Sequence, residues 1–427
     1  MNFDEAVAGE GMLSPFRVLD LTEGGCTIGA KMLGDLGADV IKVEPPGGSP
    51  TRSIGPYWHD ETDPEKSLFW WAYNINKKSV TLNISSPDGM KLFKKLASTA
   101  DFIFESFPPN TMDHLGLGYE AIAVTNPRVI MASITPFGPT GPKAHYAWSD
   151  LTIWSSGGPV YMTGDPDKAP VGISFMHQAA LNAGAEAAAA SMIAHYYREN
   201  TGPGQHIDVS MQEVAYWIMT SWQEFWETDG TIPKRFGGPP RHRPDGILRE
   251  RRQVFPAKDG YVVFWVQGGW GGGVQSTKAA LKWMDEEGMA PAWLLNFDWV
   301  RGFDLSTMDN KTLDALEQPF VDFFATKTKD EISLRAFSNH IMVGAVNNSK
   351  DLANHPHLKE RGFFEEVAHE DLGELVTYCG PSLKASETPL SFRMRPPHVG
   401  EHNYELYGGE LGITQEEIDS LRSTGVI

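Results

Sequence analysis

The stretch Phe16–Arg52, "FRVLDLTEGGCTIGAKMLGDLGADVIKVEPPGGSPTR", decides the fold class. A short apolar run from Val18 to Leu21 leads through Gly24 and Gly25 into a helical pattern running from about Thr27 to Leu36. Gly37 ends that helix, and "DVIKVE" follows as a largely apolar strand. A strand, a helix and a second strand in this order form the unit from which parallel sheets are built.

The same grammar continues outward. "SVTLNI" (Ser79 to Ile84) reads as a strand, "SPDGMKLFKKLASTA" as an amphipathic helix opened by Ser86-Pro87, and "DFIFES" as another strand. "VIMASITPFG" is a strand entering a glycine loop, and an Ala-rich helix follows from roughly Gln178 to Tyr197. Its small side chains allow a neighbouring helix or sheet to approach closely, which predicts a central, buried position. "TGPGQHIDVS" then turns into a further strand. Alternation of strands and helices predicts an α/β domain with loops at the strand ends.

A chain of 427 residues is long for one hydrophobic core. After residue 225 the texture changes: Arg235 to Gly273 is rich in Gly, Pro and Arg, with a hairpin expected through "AKDG" into "YVVFWV". Helical stretches follow at Val274 to Glu287 and Asn310 to Thr326. The expected division is therefore 1–225 for a large domain, 230–345 for a smaller one, and 346–427 returning to the first.

The 36 basic and 55 acidic side chains give a net charge of −19, which repels phosphate backbones and anionic lipid surfaces. Nucleic acid and membrane are disfavoured as partners, and no apolar run approaches the roughly 20 residues that span a bilayer. The two cysteines, Cys26 and Cys379, make no disulfide framework or metal spacing and fit a reducing, cytoplasmic setting. With no HExxH and scattered histidines, no metal site is expected. The absence of GxSxG disfavours a hydrolase triad, and the Gly24-Gly25 turn matches neither GxGxxG nor a P-loop. Gly47, Gly48 and Arg52 after a strand suit a phosphate, or equally a surface turn with a solvated arginine. Lys77 and Lys78 before a strand suit an anionic cofactor, or plain solubility. The glycines at Gly268 to Gly273 and at Gly237-Gly238 can close over a ligand or merely link strands.

Taken together, "VLDLTEG", "LGDLGADVIKVEPPGGSPTR", "NINKKSVTLNI", "ADFIFESFPPNTMDHLGLGYEAI", "SITPFGPTGP", "RENTGPGQHIDVSMQE" and "HVGEHNYELYGGELGI" resemble the class III CoA-transferases, the CaiB/BaiF family, over nearly the whole chain. The resemblance implies a Rossmann-like large domain formed from both chain ends, an inserted smaller α+β domain, and two protomers interlocked as a dimer. It implies coenzyme A as acyl-CoA substrate, with contacts from Gly24, Gly25 and Cys26, from Lys42 and Arg52, from Asn74, Lys77 and Lys78, and from Phe107. Between Leu19 and Ala38 this chain is one residue shorter than the family pattern.

In the family an aspartate at the start of the Ala-rich helix attacks the acyl-CoA carbonyl, giving a mixed anhydride and then an aspartyl-CoA thioester. Its position falls on "VGISFMH", at His177. The family's racemases use a His and Asp pair, and here the histidine of that pair corresponds to Ser149 in "WSD", so racemization is disfavoured. Some members work as two homologous subunits of which one carries the aspartate, for example in moving CoA from succinyl-CoA to an aromatic succinate such as benzylsuccinate. The resemblance thus implies a subunit without the nucleophile, paired with a paralogue that has it as a heterodimer or heterotetramer. The alternatives are a self-sufficient homodimeric transferase or CoA-ester isomerase using another residue, and a non-catalytic acyl-CoA-binding protein.

Overall fold

The computed structural model describes residues 11–164, 168–173, 177–230, 232, 252–305 and 307–427. Gly237-Gly238, and Asp165 and Asp167 in the run before His177, lie outside them. The chain divides into two compact units, one comprising Met1–Val160, Gly172–Glu224 and His357–Ile427, the other Tyr161–Val171 and Phe225–Pro356.

In the first unit, six strands form one all-parallel sheet in the order β3-β2-β1-β4-β5-β6. They are β1 (Arg17–Leu21), β2 (Asp39–Glu44), β3 (Lys77–Thr81), β4 (Phe102–Glu105), β5 (Ile130–Thr135) and β6 (His206–Ser210). The crossovers carry α1 (Ile28–Asp35), α2 (Leu68–Asn74), α3 (Pro87–Ala97), the short turns α4 (Thr111–His114) and α5 (Tyr119–Ala123), then α6 (Asp150–Gly157) and α7 (Gln178–Thr201). Helix α8 (Met211–Trp217) follows β6 directly. This strand order is that of the doubly wound dinucleotide-binding fold, as the repeated strand and helix units predict.

Alternation along the strands sorts side chains onto two faces. Val18, Val40, Phe102, Phe104 and Ile130 meet Ala30 and Leu33 of α1 and the alanines of α7. Leu19, Leu21, Ile41, Ile103 and Met131 meet Leu92, Phe93 and Leu96 of α3. Leu406, Tyr407, Val426 and Ile427 complete that second face; the Tyr407 hydroxyl donates to the Thr81 carbonyl at 2.9 Å, and Asn83 N–H to the Val426 carbonyl at 2.7 Å. Each large apolar side chain so buried contributes about 1.5–3 kcal/mol before entropy is counted.

Close approach explains the composition of α7. A Cβ on Gly184 would lie 2.8 Å from the Cys26 carbonyl oxygen, and one on Gly29 would lie 2.6 Å from that of Gly184. Only hydrogen fits there, so α7 lies directly on the turn that follows β1. Strand β3 starts two residues earlier than the sequence pattern predicts: Lys77 and Lys78 pair with Val40 and Ile41 of β2 inside the sheet rather than preceding it.

The second unit holds the expected hairpin, extended to a three-stranded antiparallel sheet of β7 (Val254–Ala257), β8 (Gly260–Phe264) and β9 (Val343–Val346). Its apolar face packs under Gly272–Glu286 and Asn310–Phe324, where the Phe264 ring meets those of Phe255, Phe320 and Phe324.

Candidate functional site

Strand order reverses direction between β1 and β4, and in open parallel sheets the crevice outside the carboxyl ends at such a point receives ligands. Here β1 runs into Thr22, Glu23 and a single 3-10 turn, Gly24–Thr27, while β4 runs into Ser106–Pro109. These loops, with Pro50, Thr51 and Ile54, the segment Ala144–Trp148, and His177, enclose a cavity of about 700 Å³. Of the residues singled out by sequence, Gly24, Gly25, Cys26, Phe107 and His177 line it.

His177 is the residue before α7, with φ 60° and ψ 38° in the left-handed region. Its carbonyl accepts from Leu181 N–H at 2.9 Å, which begins the helix. The ring stands edge-on to Phe69 at 5.3 Å between centroids, and its Nδ1 lies 3.6 Å from where a Cβ on Gly24 would be. An acid is present at this helix start, but from elsewhere: the Asp150 carboxylate accepts from Ala179 N–H at 2.7 Å. Asp150 stands in the "WSD" block that sequence comparison had touched only at Ser149, which caps α6.

The structure places Arg52, Lys42 and Lys77 inside the fold rather than as solvated surface groups. Arg52 is 1 % exposed. It makes a two-pronged pair with Glu44 at 2.7 and 2.8 Å, reaches Glu65 at 2.7 Å and the Pro397 carbonyl at 2.9 Å, and stacks on Trp70 at 3.7 Å. Lys42, Asn74 and Lys77 are likewise buried. Lys77 donates to Asp20 at 2.7 Å, the Asn74 side-chain oxygen at 3.0 Å and the Thr27 carbonyl at 2.9 Å, while Lys42 donates to the Thr22 carbonyl. Asp20 in turn accepts from Thr22 N–H at 2.9 Å. These groups thus hold both ends of the Thr22–Thr27 loop from beneath. Burial would raise the Asp20 carboxyl, but Lys42 and Lys77 hold it below its ordinary range. Burial pushes Lys77 down to about 8 against the pull of Asp20. Lys78 points to the opposite face of β3, paired with Asp39 and Glu405 at 3.3 and 3.0 Å. Hydrophobic alternation alone does not foresee this, because a charged pair in a sheet interior breaks the pattern.

Burial, then the nearby Asp20, pushes the Cys26 thiol up to about 12, so it stays protonated and is no nucleophile. Burial pushes Glu105, at the end of β4, up to about 7 although it accepts from Phe107 N–H at 2.7 Å. It therefore fixes the Phe107 loop while lying beside a smaller cavity of about 150 Å³ with Ser133, Thr135 and His206. Between the ordinary glutamate value of 4.5 and about 7, the folded chain keeps a proton there that the unfolded chain has released. Stability should accordingly fall as pH rises through that window and level off above it. Glu105→Gln is expected to lack this fall, checked by urea unfolding of both proteins at about pH 5 and about pH 8. An identical pH dependence in the two would refute it.

Among the described residues no cluster of three or more His, Cys, Asp or Glu is placed to hold a metal ion, and no helix is long and apolar enough to cross a membrane.

A family model described as CoA-transferase family III matches residues 13–403. The chain is 31% identical over 415 residues to the succinyl-CoA:(R)-benzylsuccinate CoA-transferase subunit BbsE of Thauera aromatica, covering 97% of this chain and 98% of that one. It is 29% identical to the succinyl-CoA–L-malate CoA-transferase alpha subunit of Chloroflexus aurantiacus, covering 97% of this chain and 92% of that one. A crystal structure of a CaiB/BaiF family protein from Brucella suis superposes with a TM-score of 0.78 at 26% identity, covering 94% of this chain and 99% of that one. This chain belongs to CoA-transferase family III.

Proposed function

We propose that this chain is the subunit without the nucleophile in a two-subunit CoA-transferase, and that a homologous partner interlocked with it carries the catalytic aspartate. The observation that supports this reading is His177, an imidazole at the head of α7 and on the cavity wall, where the family's mechanism places a carboxylate. The transfer cycle needs an enzyme-bound carboxylic anhydride and then a CoA thioester of that carboxylate. An acyl-imidazole offers no route to that thioester and leaves the acyl group open to water.

In this reading Gly24, Gly25, Cys26 and Phe107 face the CoA thioester, whose transfer between carboxylic acids runs, for example, from succinyl-CoA to an aromatic succinate such as benzylsuccinate. Lys42, Arg52, Asn74 and Lys77 serve CoA by holding the loops around it, and the complex works in the reducing cytoplasm.

Mixing the purified chain with an aspartate-bearing paralogue and assaying CoA transfer tests the proposal. Transfer is expected from the mixture, with neither transfer nor a covalent acyl or CoA adduct from this chain alone. Transfer by this chain alone that disappears on His177→Ala would sink it.

A further inference from the structure

We propose that His177 and His145 together receive the free carboxylate of a dicarboxylic acyl group, and so favour thioesters that carry one over thioesters that end in a methyl group. The inference rests on the CoA-thioester reading above and adds the group by which the acyl chain is recognised. In that reading succinyl-CoA and the CoA thioester of benzylsuccinate each keep one free carboxylate, so both sides of the exchange present the same handle.

Both histidines line the cavity, and no lysine or arginine is among the described residues of its wall. His177 meets Phe69 edge-on, but among the described residues no hydrogen bond or ion pair engages the ring nitrogens of either histidine. An imidazole offers at least one N–H in every tautomer and charge state, and its hydrogen bond to a carboxylate is charge-assisted. Two donors thus stand on the wall of one space without a protein acceptor. Gly24 keeps the first of them open: Nδ1 of His177 lies 3.6 Å from where a Cβ on Gly24 would be, so a longer side chain there would cover it.

The neighbouring acids are engaged elsewhere. Glu23, the one carboxylate among the described wall residues, accepts at Oε2 from the Thr51 hydroxyl at 2.6 Å and from the Ser49 hydroxyl, and its Oε1 lies 3.9 Å from Lys42. Asp150 accepts from Ala179 N–H at 2.7 Å, so that backbone donor at the start of α7 is already taken and the His177 ring is the one left to meet a ligand. An incoming carboxylate also works against the net charge of −19, so a preference for it has to come from local donors. The rings of Phe107, Tyr146 and Trp148 on the same wall give the carbon chain apolar surface.

The test is titration calorimetry of the full chain, at one ionic strength, with succinyl-CoA, with butyryl-CoA, which has a methyl group in place of the carboxylate, and with CoA itself. Succinyl-CoA is expected to bind about tenfold more tightly than butyryl-CoA, the size of effect that one charge-assisted hydrogen bond gives. His177→Ala is expected to remove most of that preference by weakening succinyl-CoA alone. His177→Asn, which keeps an N–H donor and tolerates the left-handed backbone, should restore part of it. His145→Ala, at an exposed position, is an independent arm that lowers the preference about threefold. Equal affinity for the two thioesters, with CoA still bound, overturns the carboxylate site and leaves the CoA reading standing. A preference that survives both alanine variants overturns its assignment to the histidines. Parallel weakening of all three ligands by His177→Ala, the mark of a purely structural role, overturns it too. Binding of none of the three overturns both readings.

Discussion

Lys77→Met is expected to destabilise the chain by about 3–5 kcal/mol, because removing one member of a buried pair strands the other charge. Asp20 and Lys77 are both fully buried and 2.7 Å apart. The variant also leaves the Thr27 carbonyl and the Asn74 side-chain oxygen without the donor that Lys77 provides. Lys42 at 3.8 Å from Asp20 offsets part of the loss, so the figure is the upper end of what urea unfolding should show. Lys78→Met is the control: one residue away but on the other face and 20% exposed, its removal should cost no more than about 1 kcal/mol. If the two variants differ by less than about 1 kcal/mol, the buried network is not what holds this corner of the sheet. Adding Asp20→Asn to Lys77→Met should recover part of the loss, since no bare carboxylate then remains.

Gly184→Val is expected to lower stability by about 1–3 kcal/mol and to weaken CoA-thioester binding by more than tenfold. A Cβ at Gly184 meets the Cys26 carbonyl and the Ile28 side chain, both at 2.8 Å, so α7 must retreat from the Gly24–Thr27 turn. Retreat carries His177 and the cavity wall with it. Gly25→Ala strains the same contact from the opposite side, 2.8 Å from the His177 carbonyl and 2.9 Å from Leu181 N. The double variant should cost less than the sum of the two, because either one alone already separates the surfaces. Full additivity in thermal unfolding would mean that the two glycines act at separate places.

The parallel sheet was legible in the sequence because its strands are short apolar runs between glycine turns, and Phe16–Arg52 alone contains a complete crossover. The start of α7 was equally legible as a helix beginning, and the structure sets His177 there on the wall of the cavity. The cations were harder to read. Arg52, Lys42 and Lys77 look like surface groups in one dimension, and only the register of β1, β2 and β3 shows that Asp20, Lys42 and Ser79 stand side by side on one buried face. Asp150 was missed for a similar reason: it caps a helix 29 positions further along the chain, and no local spacing marks such a contact. The antiparallel pair Phe364–His369 and Glu374–Cys379 was also unforeseen. Its acidic residues dilute the alternation that would have announced it.

The covering of the sheet by the segment around Tyr407 and by Val426 and Ile427 sets a schedule for biosynthesis. When β6 leaves the ribosome at Ser210, every strand of the sheet exists, yet one of its faces lacks the side chains that complete it. Those arrive only some 200 residues later, about 10–40 s at ordinary rates of synthesis. Throughout that interval the face that carries Ile41, Val80 and Leu82 lacks the side chains of Leu406, Tyr407, Val426 and Ile427 that share its core in the folded chain.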